Sequence, residues 1–268
     1  MTREPLSVRP PAVAGSFYPS APDALRRALS DAFADAVPPP AGAPVPEAII
    51  VPHAGFVYSG PVAASASARV ASARNTIRRV VLLGPSHRVR VSGLAVPSVD
   101  AFETPLGRAH VDAAARSRVL DLPAVSIDDR AHAFEHSLEV QLPSLQTVLD
   151  QFVVLPFSVG DASVEEVAAV LETCWGGHET LVVISTDLSH YHRYEDAVAF
   201  DARTAAAIVA RRPDDVRDVD ACGSRPLRGL LHCAQDRNLT VEQIDVRNSG
   251  DTAGDRERVV GYGAFAVV

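Results

Sequence analysis

Short apolar runs alternate with longer segments of helical spacing over most of the chain after residue 46. The runs VVLL and LVVIS carry no polar face, which is typical of strands that are covered on both sides. Strands are predicted at residues 48–51, 79–83, 93–98, 152–158, 181–186, 240–248 and 259–268. Helices are predicted at residues 61–73, 137–149, 164–175, 195–212 and 226–235. This alternation predicts an α/β fold, an α/β/α sandwich around a mixed, largely parallel sheet.

The chain is expected to form one domain over residues 1–268, with an N-terminal segment (1–46) that packs on an α/β body (47–268). In that segment we expect Ser20 to cap a short helix, followed by a proline-rich loop at residues 38–46. The apolar residues of the helix share one face: Leu25, Leu29 and Phe33.

Two prolines lie inside the predicted helices. Pro61 is expected in the first turn of its helix, where a missing N–H group is tolerated. Pro143 is expected to start a new helical segment or to kink the helix.

Composition and charge exclude several classes of protein. The net charge of -8 argues against binding to a phosphate backbone, which requires clustered Lys and Arg. No apolar stretch has transmembrane length, and the N-terminus lacks the apolar core of a signal peptide. The three cysteines form an odd and sparse set, which suits a reducing compartment. We therefore expect a cytoplasmic protein that binds neither nucleic acid nor membrane.

Histidines follow three of the predicted strands. His53 comes after the first, His87 after the second, and Asp187 with His190 after the strand at 181–186. Ligands of open α/β sheets bind outside the carboxyl ends of the strands, so these side chains are expected at one rim. The pattern favours a metal or catalytic site. The alternative is that each histidine is solvated or hydrogen-bonded on its own.

Imidazoles from separate strands suit zinc, iron, copper or nickel. Asp187 would either join the metal ligands or orient an imidazole. Cys222 stands in a turn before a predicted helix, where a thiolate is favoured electrostatically. The alternative is a small buried apolar side chain, which is how most free cysteines behave.

The segment AFEHSLEVQLP brings three more polar residues together. His136 and Glu139 lie three residues apart on one helical face, with Glu135 directly before them. The neighbouring Phe134 and Leu138 indicate partial burial, which favours a functional role over an exposed charged face.

Eight motifs along the chain resemble, in the same order, the Memo family, whose prokaryotic members are called AmmeMemoRadiSam system protein B. They are RPPAVAGSFYP, VPHAGFVYSGPVAA, LLGPSHRV, FETPLG, EHSLEVQLP, STDLSHY, ACGSRP and VVGYGAFA. The resemblance implies a fold similar to class III extradiol (LigB-type) dioxygenases, which hold non-haem iron. It implies metal ligands at His53, His87 and Cys222, with Asp187 and His190 lining the same pocket. It also implies a connection with AMMECR1-like and radical SAM proteins.

From these observations we expect a metal-dependent, iron-containing redox protein or oxidoreductase that acts on a small molecule. Iron is the expected metal, with copper or zinc as alternatives. The candidate catalytic residues are His190, as acid–base group, with Asp187, Glu135 and His136. One alternative function is a zinc hydrolase with His190 or Glu135 as the base. Another is a binding module for a metal or peptide without turnover. The sequence leaves a homodimer open.

Overall fold

Strands and helices alternate along the chain in the computed structural model, which describes residues 6–268. The strands are β1 (Val8–Arg9), β2 (Ala48–Val51), β3 (Arg79–Pro85), β4 (Leu94–Val96), β5 (Ala101–Thr104), β6 (Gly107–Val111), β7 (Val125–Ile127), β8 (Val153–Val159), β9 (Thr180–Ser185), β10 (His190–His192), β11 (Val241–Asn248) and β12 (Val259–Val267). The helices are α1 (Pro22–Ala34), α2 (Phe56–Ala68), α3 (Ala113–Val119), α4 (Arg130–Ala133), α5 (His136–Glu139), α6 (Gln141–Val148), α7 (Val164–Cys174), α8 (Tyr194–Val209) and α9 (Ser224–Asp236).

All the strands belong to one mixed sheet. Its centre is the parallel series β8-β3-β9-β2, built from the apolar runs. On one side β12 continues the sheet antiparallel to β2 and pairs with β10 and β11. On the other side β6 joins β8 in parallel, followed by β5 and β1. The predicted mixed, largely parallel sheet is confirmed.

The central strands bury side chains on both faces because successive residues of a strand point to opposite sides. In β3, Val80 and Leu82 join one core cluster, whereas Val81 and Leu83 join the other. Helices α2 and α6 cover the first face. Helices α3, α7, α8 and α9 cover the second. The predicted α/β/α sandwich is therefore confirmed.

The N-terminal segment packs through an apolar cluster of its own. Leu25 and Leu29 of α1 are buried there with Tyr18 and with Phe56 of α2, and Phe33 packs against the cluster. The helix begins at Pro22 without a side-chain cap, so the prediction that Ser20 caps it is wrong. Pro at the first helical position already has the required φ and no N–H to satisfy. Residues 1–5 of the predicted segment lie outside the described residues.

The two internal prolines behave differently. Pro143 stands in the first turn of α6, after the helix breaks at Val140, as predicted. Pro61 lies inside α2, because this helix begins at Phe56 and not at Pro61. The backbone N–H groups of Tyr58 and Ser59 already donate to the carbonyl of Gly55, which starts the helix earlier than the apolar pattern indicates.

Within residues 6–268, no helix combines the length and apolar character that crossing a bilayer requires.

Candidate metal centre

The predicted site residues converge at the carboxyl edge of the central strands. β2, β3 and β9 are parallel neighbours, so the loops that follow them leave the same edge of the sheet. The turn before α9 and the start of α5 reach this edge from the two helical layers. The side chains gathered there are His53, His87, Glu135, His136, Asp187 and Cys222.

Three imidazoles form the centre of the site. One ring nitrogen from each of His53, His87 and His136 lies within 4.8 Å of the other two. The ring centroid of His53 lies 5.3 Å from that of His87 and 5.4 Å from that of His136. Burial, reinforced by the other two imidazoles, lowers the pKa of His53 well below its usual value. His53 is therefore neutral near pH 7 and can offer a lone pair, and the cluster can hold a metal ion.

Hydrogen bonds fix which nitrogen of His53 is free. Ser185 Oγ donates to the carbonyl of Ser137 over 2.6 Å and accepts from the Gln141 side-chain amide over 2.8 Å. Its remaining lone pair faces His53 Nδ1 at 2.9 Å, so Nδ1 carries the proton. The unprotonated Nε2 lies 3.3 Å from Cys222 Sγ. Nothing in the sequence pattern marked Ser185 or Gln141 for this orienting role.

Glu135 fixes the second imidazole. Its carboxylate accepts from the backbone N–H of His87 over 2.6 Å, from His87 Nδ1 over 2.9 Å and from the backbone N–H of Ser137 over 2.9 Å. Burial opposes its ionisation, but the hydrogen bonds from His87 and from the backbone N–H of Ser137 outweigh burial and hold the pKa of Glu135 at about 2. Glu135 is therefore a permanent anion that leaves His87 Nε2 free to bind an ion.

His136 supplies the third imidazole. Its Nδ1 is buried and lies 3.4 Å from Glu135 Oε1, yet no hydrogen-bond partner for it exists among the described residues. The ring of Phe17 packs on it with centroids 4.7 Å apart. Sequence reasoning placed His136 with the catalytic candidates, whereas the structure places it beside the two predicted ligands. A buried ring nitrogen without a partner is a group that a bound cation would satisfy.

Asp187 supports the loop that carries His53. Its Oδ1 accepts from the backbone N–H of His53 over 2.7 Å, and burial raises its pKa. Its own backbone N–H donates to Cys222 Sγ over 3.3 Å. His190 is half-buried at the start of β10, and its Nδ1 donates to the carbonyl of Leu188 over 2.9 Å.

The next residue, Gly223, holds Cys222 close to the end of β9. The backbone N–H of Gly223 donates to Thr186 Oγ1 over 2.9 Å, and a Cβ at Gly223 would lie 2.7 Å from Thr186 Cβ. Only glycine permits this approach. Burial and then the charge of Asp187 raise the pKa of Cys222 to about 12. The thiol therefore keeps its proton unless a metal cation next to it favours the thiolate.

The donor set fits a metal ion. Metal bonds of about 2.1 Å to nitrogen and 2.3 Å to sulfur at a tetrahedral angle place the two donors about 3.6 Å apart. The observed separation of His53 Nε2 and Cys222 Sγ is 3.3 Å. His53 and His87 each have Nδ1 engaged by an oxygen, as metal-binding imidazoles usually do.

The remaining histidines lie outside this cluster. His192 stacks on Phe200 with centroids 5.2 Å apart, and His132 is buried with its Nε2 donating to the carbonyl of Ala95. His232 faces Asp236 on α9.

Comparisons with known proteins bear out the predicted resemblance. Residues 9–266 match the family described as "Memo-like protein". A MEMO1 family protein of Aquifex aeolicus is 35% identical over 268 residues, covering 96% of this chain and 98% of the relative. A MEMO1 family protein of Ignicoccus hospitalis is 34% identical over 282 residues, covering 96% of this chain and 97% of the relative.

The fold also occurs in a solved structure. The crystal structure of the uncharacterized protein JW3007 from Escherichia coli K12 has a TM-score of 0.54 and 15% identity, and the match covers 80% of this chain and 98% of that chain. At this identity the likeness concerns the fold alone. The family match and the two relatives extend over nearly the whole chain, so the chain belongs to the Memo-like protein family.

Proposed function

We propose that the protein is a metal-dependent redox protein that holds a non-haem iron ion at the carboxyl edge of its sheet. His53, His87 and Cys222 are the proposed ligands, and His136 is the adjoining donor. The observation that supports this most strongly is the convergence of the three imidazole nitrogens within 4.8 Å of one another. Iron bound there would supply one-electron chemistry and a Lewis acid for a small substrate.

The protein's own groups have distinct roles in this proposal. Ser185 and Glu135 hold the rings of His53 and His87 in the tautomer that leaves Nε2 unprotonated. The carboxylate of Asp187 holds the backbone of the His53 loop. The backbone N–H of Asp187 donates to Cys222 Sγ and favours a thiolate, whereas the charge of the carboxylate disfavours it. His190 has its Nδ1 engaged and its Nε2 available, so it is the proposed acid–base group for a bound substrate.

A zinc hydrolase at this site could not use Glu135 as its base. A hydrolase requires a free base beside the metal-bound water. Glu135 already accepts three N–H groups, and Asp187 already accepts the backbone N–H of His53. His190 and His136 each keep a ring nitrogen without a hydrogen-bond partner among the described residues, so they are the candidate bases that remain for a hydrolase.

Elemental analysis of protein purified without oxygen tests the proposed ligands. We expect stoichiometric iron in the wild type and loss of iron in His53→Ala and Cys222→Ala, because each variant removes one donor. His110→Ala, on β6 and outside the cluster, is the matched control and should retain iron. Full iron occupancy in both site variants would refute the ligand assignment. Zinc in colourless protein that consumes no oxygen would favour the hydrolase.

The predicted partners, AMMECR1-like and radical SAM proteins, remain part of the proposal. A metal-free variant such as His53→Ala separates a redox role from a role in binding a partner. Binding of a partner by that variant would support an interaction module, and binding only by the metal-loaded protein would support a shared redox pathway.

A further inference from the structure

A cavity of about 470 Å³ opens beside the proposed metal ligands. His87 and Cys222 form part of its wall, together with the loops that follow β3 and β8. Three arginines also line it: Arg88, Arg90 and Arg225. Its volume lies in the range of small-molecule sites. The cavity is therefore a route by which a small molecule can reach the ligand side of the metal centre.

The backbone around this cavity is fixed by hydrogen bonds. The N–H of Ser86 donates to the carbonyl of Val159 over 2.9 Å, and the N–H of Asp161 donates to the carbonyl of Val91 over 2.8 Å. A Cβ at Gly160 would lie 2.1 Å from the carbonyl oxygen of Val91, so the two loops are in direct backbone contact. The walls are preformed, which reduces the entropy lost when a ligand binds.

Charged and apolar side chains alternate along the loop that follows β3. Val89 and Val91 turn inward and pack in a small apolar cluster with Ala95. Arg88 and Arg90 alternate with these valines in sequence, are exposed and line the cavity. The packed valines therefore anchor the loop from which both arginines reach the cavity.

The arginines differ in whether their charge is already neutralised. Arg225 donates to Asp161 over 2.7 Å and lies 3.7 Å from Asp218. Arg88 and Arg90 form no ion pair with any carboxylate in residues 6–268. The chain as a whole is acidic, with a net charge of -8. The two cations without an ion-pair partner among the described residues therefore make the surface beside His87 locally positive. A local positive field of this kind attracts and orients an anion.

We infer that this cavity binds a small organic acid, whose carboxylate or phosphate is held by Arg88 and Arg90 while its body extends toward His87 and Cys222. Guanidinium groups bind both anions in bidentate geometry. Pro85 and Val159 also line the cavity and offer apolar contact to the body of such a molecule. This inference rests on the proposed function, because it treats the cavity as the approach to the metal.

Calorimetric titration of the full chain with three probes tests the inference. The probes are benzoate, phenyl phosphate and the neutral benzamide, each added to metal-free and to metal-loaded protein. We expect saturable binding of at least one anion and none of benzamide. Stronger binding of benzoate would assign a carboxylate, and stronger binding of phenyl phosphate would assign a phosphate ester. Equal binding of benzamide, or no binding of either anion at millimolar concentration, would overturn the inference.

Charge-matched double variants locate the site. Arg88→Gln with Arg90→Gln should weaken anion binding by roughly tenfold or more, and lysine at both positions should give an intermediate value because it keeps the charge but loses the planar fork. Arg78→Gln with Arg108→Gln removes the same charge near the amino ends of the strands and should leave the Kd unchanged. An unchanged Kd in the Arg88 and Arg90 double variant would overturn the inference.

Metal content measured on the same samples separates the two proposals. Anion binding by protein that fails to retain added metal would refute the metal centre alone. Retained metal without anion binding would refute only the assignment of the cavity.

Discussion

Two glutamates four residues apart, Glu135 and Glu139, are both fully buried at the start of the α5–α6 region, yet they belong to different regions of the molecule. Glu135 accepts from His87 and stands in the metal centre. Glu139 accepts from Arg9 over 2.6 Å and from Tyr18 Oη over 2.5 Å, so it holds the N-terminal segment on the body. The same side chain at the same burial serves a site in one case and the fold in the other.

The hydrogen-bond partners of the two glutamates explain the difference. The backbone N–H groups of Ala12 and Val13 also donate to Glu139. Its carboxylate is therefore paired with the guanidinium of Arg9 and hydrogen-bonded to backbone. Burial and the hydrogen bond to Glu139 raise the pKa of Tyr18 beyond its ordinary range, which keeps the phenol a donor. Glu135 instead bonds an imidazole whose second nitrogen remains free. A buried carboxylate becomes functional when the group that it holds keeps a lone pair for chemistry.

The largest expected effect is the loss of stability in Glu139→Gln. The substitution leaves the buried Arg9 without a counter-charge, and breaking a buried pair costs about 3–5 kcal/mol. Urea unfolding of the wild type and the variant measures this loss. The metal affinity of the folded variant should stay near that of the wild type. A loss of less than about 1 kcal/mol would contradict the structural role of Glu139.

The same substitution at Glu135 should lower metal affinity more than it lowers stability. Glu135→Gln removes the charged acceptor that orients His87, and loss of such a partner lowers metal affinity by about 10–100-fold. Competition with a chelator measures that affinity, with Glu139→Gln as the matched control. If both variants lose affinity equally, the distinction between the two glutamates fails.

The third expected effect is a pH dependence of stability that originates at His132, beside the N-terminal segment. His132, whose carbonyl accepts from Arg9 Nε over 2.6 Å, is buried, and burial lowers its pKa to about 4. The unfolded chain binds a proton below about pH 6.5, whereas the folded protein does so only near pH 4, so stability falls as pH drops through this window. Between pH 7 and pH 5 this group contributes a loss of about 2 kcal/mol.

The variant His132→Gln isolates this contribution. Glutamine keeps an N–H donor for the carbonyl of Ala95 but does not titrate. Urea unfolding at both pH values should show a weaker pH dependence in the variant than in the wild type. An identical slope in the two proteins would show that His132 is not responsible.

The smallest expected effect concerns an exposed ion pair in the same N-terminal segment. Arg26 donates to Asp23 over 3.0 Å on the outer face of α1, where both side chains are largely exposed. Exposed pairs contribute little because water and salt screen them. Arg26→Gln should therefore leave the unfolding midpoint in urea unchanged. A clear shift would show that charge near α1, and not the buried Glu139, anchors this segment.

Local patterning predicted the central strands and most helices because burial on both faces excludes polar residues from a strand. It did not predict the hairpin of β5 and β6, where Glu103, Arg108 and His110 interrupt the apolar pattern at the edge of the sheet. An edge hairpin exposes one face, so its sequence lacks a clear signal. The start of α2 was predicted too late because its first turn, bonded to the carbonyl of Gly55, precedes Pro61, where the sequence pattern placed the helix start.

The sequence by itself determined the alternation of strands and helices, the positions of His53 and His87 just after two strands, and the motifs that place the chain in its family. Only the tertiary structure decided that β2, β9 and β3 are neighbours and that Cys222 lies 3.3 Å from a side chain 169 residues away. It alone separated Glu135 from Glu139. Strand pairing and the partners of a buried charge depend on contacts between distant segments, and a local pattern carries no information about them.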